Sequence, residues 1–311
     1  MNLAILTALV LSTGTPMQGL EALRADDLRV NTVFYRLATS SVAFCQNKGW
    51  QTGLLLHNLS QYAPAYRAAA IATFHLGEAP AVEGVVPGSA ADRAGLRADD
   101  TLLSINGVPV QKEPIASHEA SYAGMEALRR QLDDASGAGI FTLTVQRGTS
   151  SSQLTVRAEP GCLAYVQTLP EALKDAGADR RLVSISTAMV ETTRNDDELA
   201  VLLAHELAHV ALNHPAKLDA LGVKRGLGRY FGRSAAAIRE TESEADRLGL
   251  YLAARAGYDV TIAPAFLWRL GKAFGANLWS EPTHPALRDR VAAARETAER
   301  IKKGGIDAVT P

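Results

Sequence analysis

Apolar and polar positions change rhythm twice along the chain. Over residues 19–44, Leu20, Leu23, Val30, Val33, Phe34, Leu37 and Val42 recur at helical spacing with charges opposite. Gly49 and Gly53 interrupt the pattern, and PAYRAAAIATFHLG reads as a short helix or a helix-to-strand turn. From about Ala81, short apolar runs alternate with Gly, Pro, Asn and Asp, the punctuation of strands and turns. Asn106-Gly107 marks a tight turn between TLLSI and VPV. SHEASYAGMEALRRQLDDA predicts an amphipathic helix with Tyr122, Met125, Leu128 and Leu132 on one face. IFTLTVQRGTSSSQLTVRAEP then predicts two strands about a Gly-Ser turn.

After Pro160 the pattern is mostly helical, except that RLVSISTAMV, residues 181–190, starts as a β-branched alternating run. The predicted class is α+β, a β-rich domain followed by a mainly helical one with a short edge sheet. The divisions expected are 1–19, 20–69 (helical), 70–158 (β-rich) and 159–311.

At 311 residues the chain is long enough for about two domains. A formal net charge of −1 gives no basic excess, so nothing points to nucleic acid. Past the N-terminus no stretch of about 20 apolar residues exists, so no internal membrane-spanning helix is expected. Leu3 to Leu11 form a short apolar run trailed by small and polar residues, like the core and tail of a secretory signal. The usual positive residues ahead of it and a clean A-x-A site are missing; the other reading is an apolar helix packed on the protein. The chain holds two cysteines, Cys45 and Cys162, enough for one bridge if it is exported, or two unpaired buried thiols if it is not.

The chemistry concentrates in AVLLAHELAHVALNH, residues 200–214. Asn195 or Asp196 can cap this helix, and acidic residues suit its first turn. His205 and His209 fall one turn apart on one face, where both rings can reach one ion, and Glu206 lies between them. This is the H-E-x-x-H arrangement of a zinc peptidase. Zinc takes neutral imidazole nitrogens and leaves one corner for water, and a carboxylate outside the ligand set, Glu206, can take that water's proton. Such a pattern also arises by chance, and a histidine on an apolar helix is often just hydrogen-bonded. Burying two imidazoles and a carboxylate without partners, however, would cost several kcal/mol. A third ligand is offered downstream by RETESEADRLGLYLAARAGYD, residues 239–259, where Asp246 follows Glu242 by one turn. One of the two could ligate while the other orients a ligand histidine. Glu240 and Glu244 compete on position alone. His214, five after His209, has the wrong angle for the same ion and reads as a helix-end or surface residue.

HELAH, ESEADRLGLYLAARAGYD and THPALRDR, in that order, resemble the HtpX- and CAAX-protease-like zinc metallopeptidases, gluzincins of peptidase family M48. The resemblance spans about residues 163–300, and the soluble, PDZ-bearing bacterial periplasmic members are the nearer match. It implies one zinc ion per chain held by His205, His209 and Glu242, with Glu206 as general base and Asp246 behind a ligand histidine. His284 would approach the zinc site, assisting the reaction or blocking the open corner, and Arg290 would partner the downstream carboxylates. RLVSISTAMV would be the edge strand along which substrate lies.

VVPGSAADRAGLRADDTLLSINGVPV resembles a bacterial protease-associated PDZ domain, covering about residues 70–158. Asp99 stands where the usual pattern has Gly, and FHLG, Phe74 to Gly77, is the stand-in for the missing carboxylate-binding loop. Its implied ligand is a C-terminal peptide added to a sheet edge; the other reading is a domain that only shapes access. Together these resemblances imply an exported, periplasmic endopeptidase acting on protein or peptide substrates in envelope quality control, the alternative location being cytoplasmic. The alternative function is a PDZ-based binding or chaperone-like module with a latent or structural zinc site.

Overall fold

The computed structural model describes residues 15–112, 119–223, 229–273 and 283–304. Ten α-helices follow in chain order among these residues: α1 (Pro16–Ser40), α2 (Pro64–Phe74), α3 (Ala90–Arg93), α4 (Ala123–Ser136), α5 (Thr187–Val190), α6 (Asp196–Ala211), α7 (His214–Ala220), α8 (Gly232–Arg255), α9 (Ala263–Ala273) and α10 (Leu287–Gly304). The strands are β1 (Lys48–Gln51), β2 (Leu54–His57), β3 (Ala81–Val85), β4 (Thr101–Ile105), β5 (Val108–Pro109), β6 (Ile140–Arg147), β7 (Ser150–Arg157), β8 (Glu159–Cys162), β9 (Tyr165–Leu169), β10 (Ala176–Asp179) and β11 (Leu182–Ser186).

The chain forms two compact units. One takes the described residues up to Tyr35 with Gly49–Pro160 and Thr168–Lys174; the other takes Arg36–Lys48, Gly161–Gln167 and the described residues from Asp175 on. Of the N-terminal segment read as a signal, residues 1–14 lie outside the described residues, and residues 16–19 are the first turn of α1.

In the first unit the sheet order is β2-β3-β4-β6-β7, with β5 added to β4. The β6–β7 hairpin forms because Phe141, Leu143 and Val145 alternate inward and Gly148, at φ 59°, closes the turn. Asn106 and Gly107 both take positive φ, 49° and 77°, as the tight turn between β4 and β5 requires. Leu128 of α4 is buried against Phe141 and Leu143, with Met125 and Leu132 packed on the same core. Tyr122 departs from the expected face. It precedes the helix and is 41% exposed.

The stretch 20–69, read as helical, also holds β1 and β2. Leu54–His57 is nearly all apolar and too short to show a period, so composition alone could not separate strand from helix. β2 pairs antiparallel with β3 and forms one end of the sheet. Phe74–Gly77 does not lead into that edge strand: Phe74 is buried in the last turn of α2, and the residues ahead of β2 are Thr52 and Gly53.

In the second unit, β10 and β11 form a small sheet beside a helical body, with β9, of which Tyr165–Gln167 belong to this unit, as its third strand. α6 and α8 pack against each other, and both β10 and β11 lie against α6. Leu199, Leu203 and Leu207 of α6 are fully buried. A disulfide joins Cys45 to Cys162, Cα atoms 5.4 Å apart, and so ties two segments of this unit that lie 117 residues apart in sequence.

Candidate active site

The site lies between α6 and α8. Asn195 caps α6 by accepting from the Glu198 amide at 3.0 Å, and three acidic residues occupy its first turn. The helix then runs apolar, so the face bearing His205, Glu206 and His209 is the polar interruption in an otherwise buried cylinder. On α8, Glu242, Ala245, Asp246 and Gly249 turn one face to α6. Gly249 permits the approach: a Cβ built there would lie 2.9 Å from the His205 amide nitrogen and 3.0 Å from its Cα.

Nε2 of His205 and Nε2 of His209 are 3.2 Å apart. Glu242 places Oε2 3.4 Å from His205 Nε2 and Oε1 3.6 Å from His209 Nε2. Bonds of about 2.0–2.1 Å at tetrahedral angles set ligand atoms about 3.3–3.4 Å apart, so two imidazoles and one carboxylate at these spacings fit one zinc-sized cation. Among the described residues, these three form the one group gathered closely enough to hold a metal.

Further polar groups surround this set. Asp246 Oδ1 is 3.0 Å from His205 Nδ1, near in distance though not aligned as a directed hydrogen bond. Arg290, almost wholly buried, grips Asp246 with both arms, Nε to Oδ2 at 2.7 Å and Nη2 to Oδ1 at 2.6 Å. His284 Nε2 stands 3.4 Å from Glu242 Oε2, and the Thr283 hydroxyl is 3.2 Å from its Nδ1. The competing acids fall elsewhere. Glu240 is exposed, and Glu244 bonds His214 and Lys217.

The buried groups of the cluster shift one another's protonation. Burial alone would lower His205, but the Asp246 and Glu242 carboxylates beside its ring carry it up to about 10. Burial, reinforced by the charge on His205, lowers His209 to about 3. Burial would raise Glu242, yet His205, His209 and His284 bring it down to about 2. Glu206 goes the other way. Burial, with Glu242 and Asp175 adding repulsion against the attraction of His205, lifts it to about 7.

Two features escaped the sequence reading. His214 is not at the surface: it is 1% exposed and sits 2.9 Å from His209 through the two Nδ1 atoms. One continuous helix would turn His214 away from His209, but Asn213 adopts φ 52°, ψ 42°, and the chain restarts after it as α7. Asn followed by His-Pro was the signal, a left-handed residue and then a proline in the first turn of a helix. Secondly, RLVSISTAMV supplies β11, the central strand of its sheet, and then α5; the free edges are β10 and β9. Alternation identifies a strand but not its place in the order.

Residues 82–147 match the PDZ domain, and 176–236 and 226–298 match Peptidase family M48. A putative beta-barrel assembly-enhancing protease of Vibrio cholerae is 28% identical over 149 residues, 38% of this chain and 31% of that protein. The beta-barrel assembly-enhancing protease of Yersinia pestis is 30% identical over 153 residues, and that of Escherichia coli K12 28% over 153, each covering 39% of this chain and 31% of the relative. The chain thus spans about a third of the length of these relatives. Among solved structures, the HtrA3 PDZ domain bound to a phage-derived ligand matches at 17% identity and TM-score 0.27, over 37% of this chain and 89% of that one. Residues 176–298 are thus similar to peptidase family M48, and they follow a segment, 82–147, similar to a PDZ domain.

Proposed function

We propose that the protein is a zinc-dependent endopeptidase of the bacterial envelope that hydrolyses peptide bonds in protein quality control. The observation that carries the reading is the convergence of His205, His209 and Glu242 at tetrahedral ligand spacing beside a carboxyl group lifted toward neutrality. His205, His209 and Glu242 would hold one zinc ion. Bound there, zinc would polarise the scissile carbonyl and acidify the attacking water. Glu206 takes the proton from that water and returns it to the departing amine. Asp246, clamped by Arg290, holds the His205 ring in place. His284 approaches the same carboxylate as the ligands and is suited to stabilise the oxyanion or to fill the fourth corner at rest. The substrate would lie extended along β10, the edge strand packed on α6. In the PDZ domain, β2 would take an extended peptide end on its outer edge.

Export agrees with the apolar run at the N-terminus and with the Cys45–Cys162 disulfide. Quality control agrees with the relatives, which are beta-barrel assembly-enhancing proteases. The test is Glu206→Gln: the variant should keep zinc and lose cleavage of an unfolded protein, and undiminished cleavage with zinc bound would end the reading.

The second reading, a PDZ-based binding module with a latent zinc site, draws on His284 standing 3.4 Å from Glu242. Activity that appears only in His284→Ala would favour it.

A further inference from the structure

His214 lies outside the ligand set, yet it is buried and touches the ring of His209. Three contacts run in series. Nδ1 of His209 is 2.9 Å from Nδ1 of His214, Nε2 of His214 is 3.1 Å from Glu244 Oε2, and Lys217 Nζ donates to that same oxygen at 2.9 Å. A neutral imidazole has one donor and one acceptor nitrogen, and a carboxylate only accepts. The Glu244 carboxylate therefore selects the form of His214 with hydrogen on Nε2, leaving Nδ1 as an acceptor. His209 must then donate from Nδ1, which leaves the lone pair on its Nε2. The reverse assignment sets the bare Nε2 of His214 against a carboxylate oxygen and puts hydrogen on the His209 nitrogen that faces Glu242.

We propose that His214, held by Glu244 and Lys217, is a positioning residue that fixes the ring orientation and tautomer of His209 so that its Nε2 lone pair faces the metal position. The inference rests on the zinc reading above. His205 has its own neighbours, Asp246 on α8 held by Arg290 on α10, so the two rings are flanked by separate devices. The device on His209 depends on the left-handed Asn213, which turns the start of α7 so that His214 reaches His209 from beyond the end of α6.

The test pairs two substitutions in the full chain. In His214→Asn, the side-chain oxygen falls near the position of Nδ1 and keeps the acceptor; His214→Leu removes it. Zinc affinity is read by competition with a chelator, and folding by thermal melting of the metal-free proteins. Loss of a group that orients a ligand typically weakens metal binding about 10–100-fold, the fall expected for Leu, with Asn staying within a fewfold of wild type. Nitrogen-15 spectra of the metal-free wild type should show hydrogen on Nδ1 of His209 and on Nε2 of His214. Unchanged affinity in folded His214→Leu, equal loss in folded His214→Asn, or the opposite tautomers would overturn the relay. A wild type that takes no zinc but shows the expected tautomers would instead overturn the metal reading and leave a relay that only orders the ring.

Discussion

Gly249→Ala probes how closely α6, with His205 and His209, and α8, with Glu242, must approach. The added Cβ would sit 2.9, 3.0 and 3.1 Å from His205 N, His205 Cα and Ala204 C, all backbone atoms that cannot swing aside. Comfortable carbon contacts lie at about 3.5–4.0 Å, so α8 must retreat from α6 by about 0.5 Å or more. Overpacking of this kind costs about 1–3 kcal/mol, while Ala gains about 1 kcal/mol over Gly within a helix. Net stability should therefore fall by only about 0–2 kcal/mol, because the two effects partly cancel. Zinc affinity has no such offset. Glu242 rides on α8 and the histidines on α6, and ligand distances tolerate only about ±0.2 Å. The expected result is a folded protein whose zinc affinity has dropped at least about tenfold, or ~1.4 kcal/mol, measured by chelator competition alongside a thermal melt. A variant more stable than wild type with unchanged zinc affinity would show that the helices are not held at this contact.

Two further predictions concern each unit by itself. In the first unit, Glu83 is raised well above the usual carboxyl range by burial and by Asp27 beside it. A folded value above the unfolded one stabilises fully at low pH and is lost as pH rises past about 4.5, so Glu83→Gln should melt like wild type near pH ~4.5 and higher near pH ~8; a difference that shrinks with pH would refute the buried acid. In the second unit, the disulfide closes a loop of 117 residues, and losing a native bridge typically costs about 2–5 kcal/mol. A Cys45→Ala, Cys162→Ala double variant should melt lower and no longer respond to reductant, whereas a wild type indifferent to reductant would count against the bridge.

What the chain reveals of itself depends on how local each signal is. The β6–β7 hairpin, the Asn106-Gly107 turn and the start of α6 at Asn195 or Asp196 were legible because strand alternation, positive φ and a capping side chain each act within a few residues. His205 and His209 were legible as a pair because one helix sets their spacing. His214 was not, since its contact with His209 depends on one left-handed residue breaking that helix. Gly249 looked like one more small residue on α8; its importance lies in a contact with another helix that no spacing encodes. The order β10-β11-β9 was hidden for the same reason, and β2 because four largely apolar residues fit a strand or a helix equally.

The claim beneath all of this is that side chains from α6 and α8 share a single metal ion. Anomalous diffraction at the zinc edge from zinc-loaded crystals of Glu206→Gln tests it without relying on activity. One peak about 2.0–2.2 Å from Nε2 of His205, Nε2 of His209 and a carboxylate oxygen of Glu242 is the result predicted. Zinc bound elsewhere with that position empty, or a peak that leaves Glu242 outside bonding distance, would contradict it.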